Sequence, residues 1–487
     1  MALNYPAIIK ILGFVTTLIG GAMIPSALVS LIYEEYDTAL KFALIVLPIL
    51  AVGIFISMQI KVKVSRLKLR EGFCVVAFSW LLASLLGCLP YLATGTVDGF
   101  VNALFEATSG FTTTGASIVT DVEVLPKGVL FWRSFCQWLG GMGILIFAIS
   151  ILPTLGVSGQ RMAKAEAPGV TLNKVVPRMA DSAKILYIIY VSFTLSAIVL
   201  LMLGGLNLFD AVIAALGSVA SGGLSNYNSG ISYFNSAYVE FIVAFFTVLA
   251  CINFTLYYSA IRGKWREFFS DQELRGFLLI LSCGGLFIMA NLWATGSYDS
   301  VPQALRYGFF QASAFMTTTG HFSADFDLWP AFSRMVLLVL MLIGASSSST
   351  GGGIKVIRII VLLNILRRGI FMRLHPNAVV PIKIQGKTIS AEMVSGIMSF
   401  LALYTFIFML SGLVLSLEDL DFLTIITTVT ATLNNVGTGM GLVGPTGSFA
   451  IFSDFSKVYL SFLMLMGRLE LFTIILLFTP SFWNPDR

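Results

Sequence analysis

Phe111-Thr-Thr-Thr-Gly115-Ala-Ser117 and Met316-Thr-Thr-Thr-Gly320-His321 are near-copies of one short polar turn, set far apart in a single chain. Phe105 stands ten residues before Gly115, and Phe310 ten before Gly320; the residues that follow run Glu106-Ala107-Thr108 and Gln311-Ala312-Ser313. Two further turns keep the same order of elements but drift in sequence: Ala220-Ser-Gly-Gly223-Leu-Ser225 and Asn434-Asn-Val-Gly437-Thr-Gly439. Each turn follows a short apolar piece: Phe100–Phe111, Phe209–Val219, Pro302–Met316 and Asp421–Leu433. A hydrocarbon core about 30 Å thick needs about 20 helical residues to cross. These pieces are too short to span and too apolar for an aqueous loop, so re-entrant half-helices fit them.

Long apolar stretches flank the turns. They run near Ala7–Tyr33, Ala39–Ile60, Phe73–Ala93, Val129–Leu152, Ala183–Gly205, Tyr238–Ala260, Gly276–Ala294, Phe332–Leu363, Ala391–Leu415 and Val458–Phe478. Of the 487 residues 57% are hydrophobic and 11% charged, with a mean hydropathy of +0.89, against about 25% charged in soluble domains. The excess apolar length must face lipid. The expected class is an all-α membrane protein of about ten spans, in which four copies of helix, pore half-helix, turn and helix surround a central pore. Two additional spans precede the copies. The first span is too long for the apolar segment of a signal peptide.

Charge sets the sidedness. The linkers Lys61–Arg70, Val157–Lys184, Ile261–Arg275 and Lys355–Lys387 hold 21 of the 30 Lys and Arg, which places them and both termini in the cytoplasm. The alternate linkers carry Glu34, Glu35 and Asp37; Asp121 and Glu123; Asp325 and Asp327; and Glu418, Asp419 and Asp421. An acidic outer face concentrates cations, or simply follows from basic inner loops. The cysteines (Cys74, Cys88, Cys136, Cys251, Cys283) are scattered through spans and read as packing residues. With His321 and His375 they make no metal spacing. No phosphate-binding loop and no nucleophile–base constellation stands out, so neither a nucleotide site nor an enzyme is expected. His321 is expected at the outer mouth with a local hydrogen bond.

A dehydrating cation must exchange water for oxygen ligands, which rings of backbone carbonyls and hydroxyls supply without adding full charges. Glycine reaches left-handed conformations that turn successive carbonyls toward one axis. A half-helix ending at such a turn also directs its partially negative end at the membrane centre. The candidate cation-binding residues are therefore Thr113, Thr114 and Gly115; Ser221, Gly222 and Gly223; Thr318, Thr319 and Gly320; and Asn435, Val436 and Gly437. In the second turn Gly222 and Gly223 compete for the filter position.

Two anomalies lie deeper. Gly344-Ala-Ser-Ser-Ser-Ser-Thr-Gly-Gly-Gly353 interrupts an apolar span with residues that are poor helix formers, glycine by roughly 1 kcal/mol each. Close packing through small residues is one reading; a mobile loop below the filter, formed by Ser346, Ser347, Ser348, Ser349, Thr350, Gly351, Gly352 and Gly353, is the other and is the expectation adopted. Arg468 sits in the middle of the last span, where a charge costs about 2.5–3.5 kcal/mol or more. Glu470, two residues on, is on the wrong face to pair with it. Arg468 is either half of an interhelical ion pair or an electrostatic barrier beside the loop, and the barrier is preferred.

These turns, the Ser346–Gly353 loop and Arg468 resemble the Trk, Ktr and HKT superfamily of potassium transporters, over nearly the whole chain from Gly72. The resemblance implies potassium as the transported ion, one filter glycine per repeat, a gating loop at the broken span and a positive residue beside it. The two N-terminal spans resemble the TrkH branch, which implies a homodimer with a pore in each protomer, in a bacterial inner membrane. It also implies a cytosolic nucleotide-binding regulatory ring like TrkA, which binds ATP/ADP and NAD(H). The expected organisation is residues 1–71 for the additional spans, then repeats at 72–156, 157–260, 261–388 and 389–487. The competing function is a sodium- or proton-coupled carrier, for which Glu470 is the leading carboxylate, with Glu106 and Glu240 nearer the outer ends. No cofactor is expected in this chain. The second and fourth turns lack the Thr-Thr-Thr-Gly pattern, which predicts weaker rejection of sodium.

Overall fold

The computed structural model describes residues 3–62, 69–143, 179–378 and 380–484. Among them the architecture is helical, with one two-stranded hairpin, β1 (Lys383–Ile384) paired with β2 (Lys387–Thr388). The chain opens with α1 (Tyr5–Ile32) and α2 (Tyr36–Gln59), then α3 (Leu69–Gly87) and α4 (Leu89–Thr94). Four half-helices follow at intervals: α5 (Phe100–Phe111), α8 (Leu208–Ala220), α13 (Val301–Met316) and α17 (Phe422–Leu433). Around them run α6 (Lys127–Gly141), α7 (Met179–Leu203), α9 (Ala237–Ala250), α10 (Phe254–Ile261), α11 (Trp265–Ser270), α12 (Gln272–Ala294), α14 (Ala331–Ile343), α15 (Val356–Leu374) and α16 (Ala391–Leu415). The chain closes with α18 (Asp454–Arg468), α19 (Phe472–Ile475) and α20 (Pro480–Trp483). The half-helices begin and end within a residue of the sequence expectation.

Six helices are long and apolar enough to cross a membrane, and two bent pairs raise the number to eight. Of the other two expected spans, Val129–Leu152 begins as α6 and runs into residues outside the described set. Phe332–Leu363 is broken, helical to Ile343 and again from Val356. The basic segment 157–178 also lies outside the described residues.

Two spans expected to be continuous are not. α9 and α10 meet at 87°, and α18 meets the segment from Phe472 at 113°. The second break contradicts the single span Val458–Phe478. Glu470 and Leu471 take φ of 54° and 60° there, left-handed values that end an α-helix.

The outer surface suits lipid. On α2, Leu40, Leu44, Leu47 and Phe55 are all largely exposed, a stripe that a water-soluble helix would bury. Helices in lipid gain nothing from excluding lipid tails, so small residues bring them together. A Cβ at Gly53 would stand 2.4 Å from Thr17 Oγ1 and 2.9 Å from the Gly13 carbonyl, so α1 and α2 nearly touch backbones. The pair docks on α6 through Glu35, whose carboxylate accepts the Lys127 and Gly128 amides at 2.6 and 3.1 Å. A carboxylate there caps the positive end of α6.

Candidate functional site

Each half-helix ends in the same cap. The amide preceding the expected filter glycine returns to the carbonyl five residues back: Thr114 to Ser109 (2.9 Å), Gly222 to Gly217 (2.8 Å), Thr319 to Ala314 (2.9 Å) and Val436 to Ala431 (2.8 Å). This six-to-one bond needs a left-handed residue inside it. That residue is Thr113, Ser221, Thr318 and Asn435, with φ of 53°, 54°, 56° and 55°. Side chains there cost about 1–2 kcal/mol relative to right-handed conformations, and two of them have work that glycine could not do. Thr318 Oγ1 accepts the Gly352 amide at 2.6 Å, and Asn435 Nδ2 donates to Thr114 Oγ1 at 3.0 Å and to the Met464 carbonyl at 2.9 Å.

Two residues further on comes a second left-handed position: Gly115 (83°), Gly223 (80°), Gly320 (71°) and Gly437 (86°). Gly222 is not among the left-handed residues. Gly223 is therefore the counterpart of the other three.

The four glycines close a ring. A Cβ on Gly115 would lie 2.2 Å from the Gly222 carbonyl oxygen, and one on Gly223 would lie 1.9 Å from that of Thr319. One on Gly320 would lie 1.9 Å from the Val436 oxygen, and one on Gly437 would lie 2.2 Å from the Thr114 oxygen. Each turn thus seats its glycine on the carbonyl of the next, in chain order, and the fourth returns to the first. The helix ends supply partial negative charge around this ring.

Buried polar groups brace it from behind. Glu106 and Arg133 form an ion pair at 2.7 Å with both side chains almost wholly buried. Glu106 also accepts the Ile118 amide and the Ser117 hydroxyl, both at 3.1 Å, while Arg133 reaches the Ser225 carbonyl of the second turn at 3.4 Å. Gln137 Nε2 donates to the Gly222 carbonyl at 2.5 Å. Gln311 holds the His321 carbonyl at 3.1 Å, and the Thr438 hydroxyl donates to the Gly320 carbonyl at 2.7 Å. His321, expected to line the outer mouth with a local hydrogen bond, has a buried side chain. Its ring lies against Gly217, and its Nε2 makes no hydrogen bond among the described residues. Outside the ring, Asp327 accepts the Gly441 amide at 3.1 Å, and burial pushes its carboxyl up.

Removing one half of a buried ion pair strands the other charge. Arg133→Met is expected to cost about 3–5 kcal/mol, read as a fall in the unfolding midpoint of the detergent-solubilised protein. Glu106→Leu added to it should recover most of the loss; a midpoint unmoved by Arg133→Met would show that the pair does not hold the turn.

Below the ring lies the non-helical segment 344–355. Its Gly351 and Gly352 pack under the inner ends of two turns, where Cβ atoms would stand 2.8 Å from the Thr317 carbonyl and 2.2 Å from that of Asn434. Ser346 N donates to the Cys251 carbonyl at 3.2 Å, and Ser348 accepts the Phe254 amide at 3.0 Å, both at the α9–α10 break. Glu273 clamps Ser347, accepting its amide at 2.6 Å and its hydroxyl at 2.7 Å. Lys355 Nζ donates to the Gly351 carbonyl.

Arg468 meets this segment directly. Its guanidinium donates to the Thr350 carbonyl at 2.7 Å and to the Gly140 and Gly141 carbonyls at 2.5 and 2.8 Å. Glu470 instead pairs with Arg358. Glu240, in the first turn of α9, takes Arg306 in a bidentate pair at 2.8 Å. The side chains of Gln137, Arg133, Glu273, Lys355 and Arg358 went unnoticed in the sequence. An intramembrane charge or amide was the only available signal, and it names no partner.

A multi-pass helical bundle whose re-entrant half-helices meet in a ring of backbone turns is a membrane transport protein. The chain belongs to the TrkH family of cation transport proteins, whose model matches residues 44–484. It is 36% identical to the Trk system potassium uptake protein TrkH of Halomonas elongata, covering 98% of this chain and 99% of that one. Identity to the Trk system potassium uptake protein TrkH of Escherichia coli K12 is 34%, over 99% and 100% of the two chains. The crystal structure of the potassium transporter TrkH from Vibrio parahaemolyticus superposes with a TM-score of 0.89 at 34% identity, covering 99% of this chain and all of that one.

Proposed function

We propose that this chain takes up potassium through the ring, using the carbonyls and hydroxyls of Thr113, Thr114, Gly115, Ser221, Gly222, Gly223, Thr318, Thr319, Gly320, Asn435, Val436 and Gly437 as ligands. The observation that carries the reading is the closure of the four glycine-on-carbonyl contacts into one cycle. Four helix C-termini converge there, which favours a cation over an anion. The relatives named as potassium uptake proteins over the full chain length support potassium as that cation.

In this reading each repeat, with the limits 72–156, 157–260, 261–388 and 389–487, contributes one quarter of the filter. Residues 346–353 and Arg468 form the gate, and the protein works as a homodimer in the inner membrane with cytoplasmic termini. A nucleotide-binding cytosolic ring of the TrkA kind regulates it, as the system named for the relatives suggests. An inward monovalent cation gains about 2.3 kcal/mol per 100 mV, so voltage alone drives uptake. Of the carboxylates that a coupled carrier would use, Glu106, Glu240 and Glu470 are each engaged by an arginine.

The test is flux into sealed liposomes under an inside-negative potential. Potassium or rubidium entry well above sodium, with no other gradient, is the expected result. Entry only on adding a sodium or proton gradient would replace the reading with coupled transport.

A further inference from the structure

We infer that Gln137, on α6, is a positioning residue that tunes the second turn toward potassium and against sodium. The inference rests on the filter reading above and adds a residue to it. Gln137 is fully buried. Its amide brackets the turn: Nε2 donates to the Gly222 carbonyl at 2.5 Å, and Oε1 accepts the Leu224 amide at 3.3 Å. The carbonyl it holds is the one that seats Gly115 in the ring. The counterpart carbonyls of Thr114, Thr319 and Val436 accept no side-chain hydrogen bond among the described residues. One quarter of the ring is therefore electronically unlike the rest.

The second glycine of that turn has its explanation here. Gly222 has no left-handed backbone to require glycine, but a Cβ on it would fall 2.4 Å from Gln137 Cδ and 2.6 Å from Oε1. The space that a side chain would take is occupied by the amide.

A carbonyl already bonded to an N–H has less electron density to offer a cation, and its direction is fixed. The field strength of coordinating carbonyls is one determinant of potassium-over-sodium selection. A weaker field disfavours the smaller, more strongly hydrated ion. The second turn lacks the three threonines of the first and third, and the Gln137 bond compensates by holding its carbonyl in place.

The experiment measures the potassium-to-sodium flux ratio in liposomes for Gln137→Met, Gln137→Ala, Gly222→Ala and the double variant Gln137→Gly/Gly222→Ala. The two single Gln137 variants should retain potassium flux and lose selectivity several-fold. Gly222→Ala should lose flux, because its methyl collides with the amide. The double variant should regain potassium flux, because only loss of the whole side chain removes the Gln137 Cβ, which would stand 2.8 Å from the new methyl, yet keep the low ratio. A wild-type ratio in both Gln137 variants overturns the inference, as does failure of the double variant to regain flux. Absence of every variant from the membrane also overturns it, by making Gln137 a folding residue. A wild-type protein that passes no potassium under voltage defeats the filter reading itself, a result separable from all of these.

Discussion

Gly320→Ala is expected to reduce voltage-driven potassium entry to the level of protein-free liposomes while the protein still inserts. Two independent costs fall on the same atom. At φ of 71° an alanine is left-handed, at about 1–2 kcal/mol. Its Cβ would also sit 1.9 Å from the Val436 carbonyl oxygen, a contact that flexible side chains cannot relieve because the obstacle is backbone. The Val436 carbonyl must turn or the two turns must separate, and either change removes a ligand and opens the ring at the junction of the third and fourth turns. The same reasoning applies to Gly223 and Gly437, so the three alanine variants should fail alike. Gly412 supplies the control. It lies in α16 with nothing within 4 Å of a Cβ, and Gly412→Ala should keep full flux, with helix propensity improved by up to about 1 kcal/mol. Wild-type flux from Gly320→Ala would remove the ring from the transport path.

The ring was legible because its parts are local. A half-helix is an apolar run of a given length, and a turn is a glycine with polar neighbours; both can be read within a short window around Gly115 or Gly320. The choice between Gly222 and Gly223 was not legible, because it depends on a left-handed backbone at one and on Gln137, far away in sequence, at the other. The carboxylates show the same limit. Spacing excluded Glu470 as the partner of Arg468, correctly, but no local pattern points from Glu470 to Arg358 or from Glu106 to Arg133. The break between α9 and α10 is hidden for another reason. Residues 251–253 contain neither glycine nor proline, and the only local sign is Asn253, whose side chain caps α10 by accepting the Thr255 amide at 3.0 Å. At Leu471 even that sign is missing, since a leucine with φ of 60° has no sequence signature and is held there by tertiary contacts.

Arg468→Ala is expected to raise potassium leak in the absence of any regulatory partner. Among the described residues the guanidinium ties three carbonyls from two elements, Thr350 in the non-helical segment and Gly140 and Gly141 at the end of α6. Its removal frees the segment at Thr350 and, on the proposed reading of this segment as the gate, takes a positive charge from the path below the ring. Both effects favour cation passage. Arg468→Lys should leak less than alanine and more than wild type, because it keeps the charge but one ammonium on a flexible stem cannot reproduce a planar fork across three acceptors. Shortening Gly351–Gly353 should raise leak by a separate route, since Gly351 and Gly352 pack under the Thr317 and Asn434 carbonyls. Leak unchanged in both variants would dismiss the segment as a gate. The combination with Gly320→Ala carries the argument further. If the ring and the segment obstruct one path in series, opening the lower element cannot rescue a closed upper one, and Gly320→Ala/Arg468→Ala must stay as silent as Gly320→Ala alone. Leak restored in the double variant would mean that ions released by the loss of Arg468 travel around the ring, along a route that the four turns do not control.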